Sequence, residues 1–383
     1  MPEEPAVRTP VPPLPRHTTS PSTVPATAPA SAPAPAPTTV LAIGGNALLR
    51  GGRRATIAEQ FEAARQLAAP VAAMVRAGTR VVVTHGNGPQ VGFIKRRSDL
   101  VAEIAPELPL LDLDMCVADS QGSIGYILAR GLSGALPAGV RPVAVLTHTV
   151  VDAADPAFTR PTKPIGTHYA RDEAERLAAL HGWAIGEDAG RGWRRLVPSP
   201  APRLVVEQDA IAALLAAGQL VIAGGGGGIP VVAAPDGSLR GVEAVVDKDA
   251  TSALLARGLG AQELVITTGV ERIALDFGTP HERFVDLLHW DEAERHLADG
   301  QFPEGSMGPK VRAALDFLAG GGSSVLITSP AALGAALAGR AGTRIVGASP
   351  AGVRAPAPAV RADDPAVRVD AADLDRNVAA AET

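Results

Sequence analysis

Five consecutive glycines, Gly224 to Gly228, cut off the apolar run LVIA (220–223) and are followed by IPVV (229–232). Two other runs of strand length stop the same way: VLAI (40–43) at Gly44-Gly45-Asn46, and VVVTH (81–85) at Gly86-Asn87-Gly88-Pro89. Glycine tolerates positive φ and lets a backbone come close to a ligand. Its bare N–H groups form concave nests for anions. Such breaks confine the chain to folds that gather loops at strand ends. They predict a phosphate-handling site at the ends of parallel strands.

The remaining pattern agrees. Strands are predicted at 39–43, 80–84, 142–147, 219–223, 263–267, 323–327 and 343–346. Helical stretches lie between them at 56–77, 88–104, 115–132, 207–217, 247–259, 291–299, 306–319 and 330–338. Strand–helix alternation implies an α/β chain with a mainly parallel open sheet and helices on both faces. Gly78, Gly218, Gly258 and Gly320 stand just past helical stretches, where C-terminal caps belong. Residues 148–203, with Pro156, Pro161, Pro164, Trp183 and Trp193, break the rhythm and read as a small protruding subdomain or lid. Residues 1–38 are rich in Pro, Ala, Thr and Ser and too poor in large apolar groups to offset the entropy of ordering. They read as a disordered tail or as the product of a misassigned start. Residues 347–383 read as a second flexible tail, which leaves 39–346 as the catalytic domain.

At 383 residues and 46% hydrophobic content the chain can bury a large core, and with 3% aromatics that core must be aliphatic. A formal net charge of −5 gives no electrostatic footprint for nucleic acid. Lys95-Arg96-Arg97 and the arginines between 191 and 195 are short basic clusters, read as a solvated face or a structural loop. Cys116 is the only cysteine, expected as a buried, inert thiol in a reducing compartment. No apolar run reaches membrane-spanning length and no signal-peptide pattern opens the chain, so the expectation is a cytoplasmic protein without membrane or nucleic-acid partners.

Of the 35 basic residues only four are lysine, and three of these stand beside proline or glycine turns or between acids. They are Lys163 in PTKPIG, Lys248 in VVDKDATS and Lys310 in GSMGPK. An ammonium is a compact point charge, and phosphoryl transfer needs such charges together with backbone N–H groups around the moving group. Asp249 is the candidate to hold the lysines by ion pairing, whereas Asp247 reads as a helix N-cap. His85 ends a strand, with contact to a ligand and ordinary packing both open. The chain has no GxxxxGK[ST], no GxGxxG in the dinucleotide frame, no GxSxG or HExxH, and no metal-ligand spacing among its eight histidines.

Taken in order, nine blocks resemble carbamate kinases of the amino-acid kinase superfamily: AIGGNAL (42–48), THGNGPQVG (84–92), CVADSQGSIGY (116–126), VVDAADPAF (150–158) with PTKPIG (161–166), EDAGRGWRRLVPSPAP (187–202), GGGGIPVV (225–232), GVEAVVDKD (241–249), TTGV (267–270) and GSMGPKV (305–311). Many members of the wider superfamily carry a lysine where this chain has Ala42; the carbamate kinase branch uses one that maps to Lys163, and DKD is typical of it. Arg272 and Phe277 stand where relatives often have aromatic residues.

The resemblance implies a three-layer, eight-stranded αβα sandwich that dimerises. It implies ATP + carbamate ⇌ ADP + carbamoyl phosphate, with Mg²⁺ carried on the nucleotide phosphates and no protein metal site. The reaction commonly runs toward ATP at the end of arginine breakdown. By matching blocks, Gly44, Gly45, Asn46, Gly86, Asn87 and Gly88 would surround carbamate and the moving phosphoryl. Lys163, Lys248 and Lys310 would supply charge, with Asp249 organising them. Gly225, Gly226, Gly227, Gly228, Thr268, Gly269 and Met307 would lie along the nucleotide. Asn46 and Asn87 have two open readings, amide contacts to substrate or simply turn formation. Arg191 and Arg194 likewise read as phosphate ligands or as braces of the lid. The alternatives are a kinase for a larger acid such as acetylglutamate, against which Ala42 and DKD argue, and a silent nucleotide-sensing protein.

Overall fold

The computed structural model describes residues 36–48, 56–188 and 190–347. Both expected tails fall outside the described residues apart from 36–38 and Gly347, and Thr38 already opens the first strand.

Eight strands form the main sheet in the spatial order Leu287–His289, Thr343–Val346, Ser324–Thr328, Glu263–Thr267, Thr38–Ile43, Arg80–His85, Leu220–Ile222, Pro142–Ala144. Every pairing is parallel except Ser324–Thr328 against Thr343–Val346. Side chains alternate across a strand, so a strand buried on both faces reads as one continuous apolar run. In Thr38–Ile43 all positions are buried. Val40 and Ala42 face one core, built with Ala253 and Leu255 of helix Lys248–Gly258 and Val311 and Phe317 of helix Met307–Ala319. Leu41 and Ile43 face the other, built with Ala63 and Ala64 of helix Ile57–Gln66 and Ile124 and Leu128 of helix Leu113–Ser133. Three layers follow from that alternation.

Three details differ from the sequence-based expectations. The helix expected over 56–77 is two, Ile57–Gln66 and Ala68–Arg76. Pro70 has no N–H for the carbonyl of Gln66 and its ring crowds that oxygen, so one continuous helix cannot form. Of the four expected glycine caps, Gly78 (φ 84°) and Gly218 (φ 75°) take the left-handed conformation. At the other two helix ends that conformation falls to Gly260 (φ 60°) and Gly321 (φ 98°).

Residues 148–203 are regular after all. His148–Val151 and Pro202–Val205 join Ile229–Ala233 and Leu239–Gly241 in a four-stranded sheet. Lys163–Tyr169, Trp193–Val197 and Ala184–Glu187 make an antiparallel three-stranded sheet, with helix Arg171–His181 beside it. These short strands are mostly half-buried and lack a continuous apolar run, which is why the sequence pattern hid them. The small sheet rests on helix Gln90–Ile104 at Gly92, where any Cβ would strike the backbone of Gly166.

Candidate active site

Four adjacent parallel strands, Glu263–Thr267, Thr38–Ile43, Arg80–His85 and Leu220–Ile222, end on the same edge of the sheet. Each runs straight into one of the loops singled out above, so sheet topology alone collects them. The first two glycine loops touch through their backbones. A Cβ on Gly86 would lie 2.7 Å from the nitrogen of Gly45, and one on Gly45 would strike Gly88. The Gly44 N–H donates to Thr267 Oγ1 at 3.2 Å. Asn87 is buried and its amide lies against Gly226. Its Nδ2 donates to Ser120 Oγ at 3.1 Å, and Ser120 in turn donates to the Val117 carbonyl. Gly227 abuts the backbone of Val246, which leads directly into Asp247-Lys248-Asp249. Asn46 lies in the short 3₁₀ turn Gly45–Leu48, and its side chain is outside the described residues.

Helix Lys248–Gly258 begins beneath these loops, and Asp247 caps it. One oxygen, Oδ1, accepts the N–H groups of Asp249 (2.9 Å) and Ala250 (3.2 Å). The other, Oδ2, meets Lys163 Nζ at 3.3 Å. Lys163 also donates to the Val246 carbonyl at 3.1 Å. Asp249, almost wholly buried, divides its carboxylate between two ammonium groups: Oδ1 contacts Lys248 and Oδ2 meets Lys310 at 3.2 Å. The expected N-cap role of Asp247 is present, and it holds a lysine as well. Asp249 pairs with Lys248 and Lys310, whereas Lys163 pairs with Asp247 rather than Asp249.

Three ammonium groups thus face two carboxylates. Burial works against the Asp247 carboxylate, but Lys163 and Lys248 outweigh it and hold its pKa well below the usual range. Burial pulls the Lys248 ammonium down and Asp249 opposes that pull. The surplus positive charge and the N-terminus of a helix share one spot, an arrangement suited to a multiply charged anion. Among the described residues no group of three or more His, Cys, Asp or Glu side chains is placed to hold a metal ion. Both aspartates at the site are already occupied by lysines.

Residues 37–329 match the profile of the amino acid kinase family. The chain belongs to that family. Carbamate kinase-like protein YahI of Escherichia coli is 44% identical over 310 residues, covering 80% of this chain and 98% of that protein. Carbamate kinase of Thermococcus kodakarensis is 43% identical over 311 residues with the same coverage. The solved carbamate kinase of Giardia lamblia bound to citric acid superposes with a TM-score of 0.75 at 39% identity, over 81% of this chain and 98% of that one. The same enzyme bound to AMP-PNP gives 0.72 at 39% identity and equal coverage.

Within this amino acid kinase fold the other singled-out residues are less tightly bound to the cluster. Thr268 follows the end of its strand and its N–H donates to Thr328. Gly269 is exposed with open space around it, and Met307 packs against the core at the start of its helix. His85 is buried beside Gly225, and burial drives its pKa down to about 4, so the ring is neutral at pH 7. Its Nδ1 then carries the proton bonded to the Gly86 carbonyl at 3.1 Å. Cys116 is buried and its thiol is pushed up to about 12 by that burial, in line with an inert role. Arg191 and Arg194 both close on Asp188, at 2.7 and 3.0 Å, the geometry of a brace. Lys95, expected on a solvated face or in a structural loop, is instead buried within a helix and bonded internally.

Sequence reasoning gave no site role to Thr267, Ser120 or Gln121. The only signal for the last two was their place in the CVADSQGSIGY block.

Proposed function

We propose that this protein is a carbamate kinase that moves a phosphoryl group between carbamoyl phosphate and ADP. The observation that carries the reading is the Asp247-Lys248-Asp249 run, whose two carboxylates draw Lys163, Lys248 and Lys310 to one place beside the glycine loops. Carbamate is a small planar anion with almost no apolar surface, so a site for it must be built from donors and cations. The Giardia relative bound to AMP-PNP supports a nucleotide as a ligand, and we assign the Gly225–Gly228 loop to it.

In the ATP-forming direction a β-phosphate oxygen of ADP attacks the phosphorus of carbamoyl phosphate. The P–O bond to carbamate breaks as the new bond forms, and carbamate leaves with the electron pair. Its carboxylate delocalises that charge, so no general acid is needed. Catalysis is then positioning plus neutralisation of charge on the PO₃ unit. Lys310 and Lys248, steered by Asp249, meet that charge on one side, and Lys163, steered by Asp247, meets it on another. Asn87 and the N–H groups of Gly45 and Gly88 hold the carbamoyl end, while the N–H groups of Gly44 and Gly86 shape the loops by donating to Thr267 Oγ1 and the Ile43 carbonyl. Mg²⁺, a hard cation satisfied by phosphate oxygens and water, would enter on the nucleotide and supply further positive charge there.

The same reading takes 39–346 as the catalytic domain and 148–203 as the subdomain that brings Lys163 to the site. It extends to ATP formation at the end of arginine breakdown, in the cytoplasm, by a homodimer. Exposed Met115 and Tyr126 on helix Leu113–Ser133, with Leu146 nearby, offer an apolar surface for such an interface. The deciding experiment is ATP production from ADP and carbamoyl phosphate by the purified protein. A preparation that binds ADP yet makes no ATP would refute the assignment.

A further inference from the structure

The five-glycine loop has no side chains with which to hold its own shape, so other residues must hold it. Its N–H groups divide into two sets. Gly224 donates to Thr147 Oγ1 at 2.9 Å, Gly227 to the Gly224 carbonyl at 3.1 Å and Gly228 to the Gly225 carbonyl at 3.0 Å. Among the described residues, no acceptor meets the N–H groups of Gly225 and Gly226. Gly224 and Gly226 take left-handed backbone, φ 61° and 66°, and Gly225 between them does not. Such alternation turns successive N–H groups toward one concave side.

Two carbonyls of the loop, those of Gly225 and Gly227, are pinned by side chains. Gly227 O accepts from Thr149 Oγ1 (2.9 Å) and Thr251 Oγ1 (2.8 Å). Gly225 O accepts from Gln121 Nε2 at 2.9 Å. In a trans peptide the C=O and the following N–H point in opposite directions, so whatever fixes Gly225 O also aims the Gly226 N–H. Gln121 is buried and fully engaged: Nε2 donates also to the Thr147 carbonyl at 3.0 Å, and Oε1 accepts the Thr147 N–H at 2.8 Å. Both amide hydrogens are used, so only one orientation of the amide satisfies all three partners. Its neighbour Ser120 holds Asn87 of the second glycine loop. Consecutive residues of one helix therefore restrain two loops of the site.

We propose that Gln121 is a positioning residue for the nucleotide: it fixes the Gly225–Gly226 peptide so that the free N–H of Gly226 meets a nucleotide phosphate, beside the free N–H of Gly225. The proposal rests on the nucleotide reading of this loop. It separates Gln121 from the lysines, which act on the moving phosphoryl.

The test compares wild type with Gln121→Leu and Gln121→Glu. The first removes all three hydrogen bonds at similar volume; the second keeps the shape and the acceptor for Thr147 N–H but loses donors to the carbonyls. ADP binding is measured by calorimetry, and KM for ADP and for carbamoyl phosphate in the ATP-forming assay. The expected result is about a tenfold loss of ADP affinity and a matching rise in KM for ADP in whichever variant folds, with KM for carbamoyl phosphate unchanged. A merely structural role would lower thermal stability and turnover and leave the KM for ADP alone, and that outcome overturns the proposal. Equal rises in both KM values also overturn it. Should wild type bind ADP but produce no ATP, the carbamate kinase assignment fails while the calorimetric comparison still decides the role of Gln121.

Discussion

Two regions of this molecule bury lysine side chains, and they do so to opposite ends. In the first, Lys95 is held between helix Gln90–Ile104 and the chain after it: Nζ donates to the Leu111 carbonyl at 2.8 Å and pairs with Asp99 at 3.1 Å. Its carboxylate partner lies one helical turn on and is shared with Arg195 at 3.9 Å, and the Glu243 carboxylate acts on both cations, so the charges there balance. In the second, Lys248 and Lys310 share the single carboxylate of Asp249, while Lys163 leans on an N-cap aspartate already receiving two N–H groups. A buried cation whose partners are all internal is a brace. A buried set with more ammonium groups than carboxylates keeps charge for something that arrives from outside, because an uncompensated charge in a poorly solvated place is otherwise expensive. Both sets are largely withdrawn from solvent, and the account of their partners separates them.

Substitutions at the two clusters test that contrast most directly. Lys310→Ala should lower turnover by ~10²-fold or more, as loss of transition-state charge stabilisation does, with little change in the urea midpoint. Near wild-type turnover would remove Lys310 from the chemistry. Lys95→Met should show the reverse: about 2 kcal/mol less stability in urea unfolding, because Asp99 and the Leu111 carbonyl lose a buried donor, with kinetic constants nearly unchanged. A stable but inactive Lys95→Met enzyme would erase the distinction between brace and site.

The smallest effect concerns His85, the neutral group at the edge of the charged cluster. Its folded pKa of about 4 lies below the ordinary 6.5, chiefly through burial and further through the charge of Lys248. Between those values the unfolded chain binds a proton that the folded chain refuses. The contribution of His85 is therefore complete above pH 6.5 and is lost as the pH falls toward 4, with a slope of at most about 1.4 kcal/mol per pH unit. His85→Asn keeps a donor for Gly86 and should flatten that part of the stability–pH curve. An unchanged slope would mean that the ring is already solvated and can take up its proton in the folded state.

Much of the architecture was legible beforehand, and for a plain reason. A strand covered on both faces reads as a near-continuous apolar run, so the centres of Thr38–Ile43, Arg80–His85 and Glu263–Thr267 announce themselves. The glycines that end them mark the close backbone contacts between Gly45, Gly86 and Gly88. The half-buried antiparallel strands of 148–203 carry no such signature and were missed, as was the break that Pro70 imposes on the helix expected over 56–77.

For the site, residue types and local order sufficed to nominate the lysines and Asp249, because phosphoryl chemistry asks for compact cations and an acid to steer them. Which acid steers which lysine was not legible. Lys163 and Asp247 are 84 positions apart, and their pairing exists only because a strand of the small sheet passes the N-terminus of helix Lys248–Gly258. Gln121 was equally silent, since a glutamine announces no chemistry until its three partners are seen around it. Local pattern determined the strands, the loops and the candidate cations through burial and backbone freedom, which act over a few residues. The assignment of partners was left to the tertiary structure, because hydrogen bonds and ion pairs depend on distances between segments that the sequence places far apart.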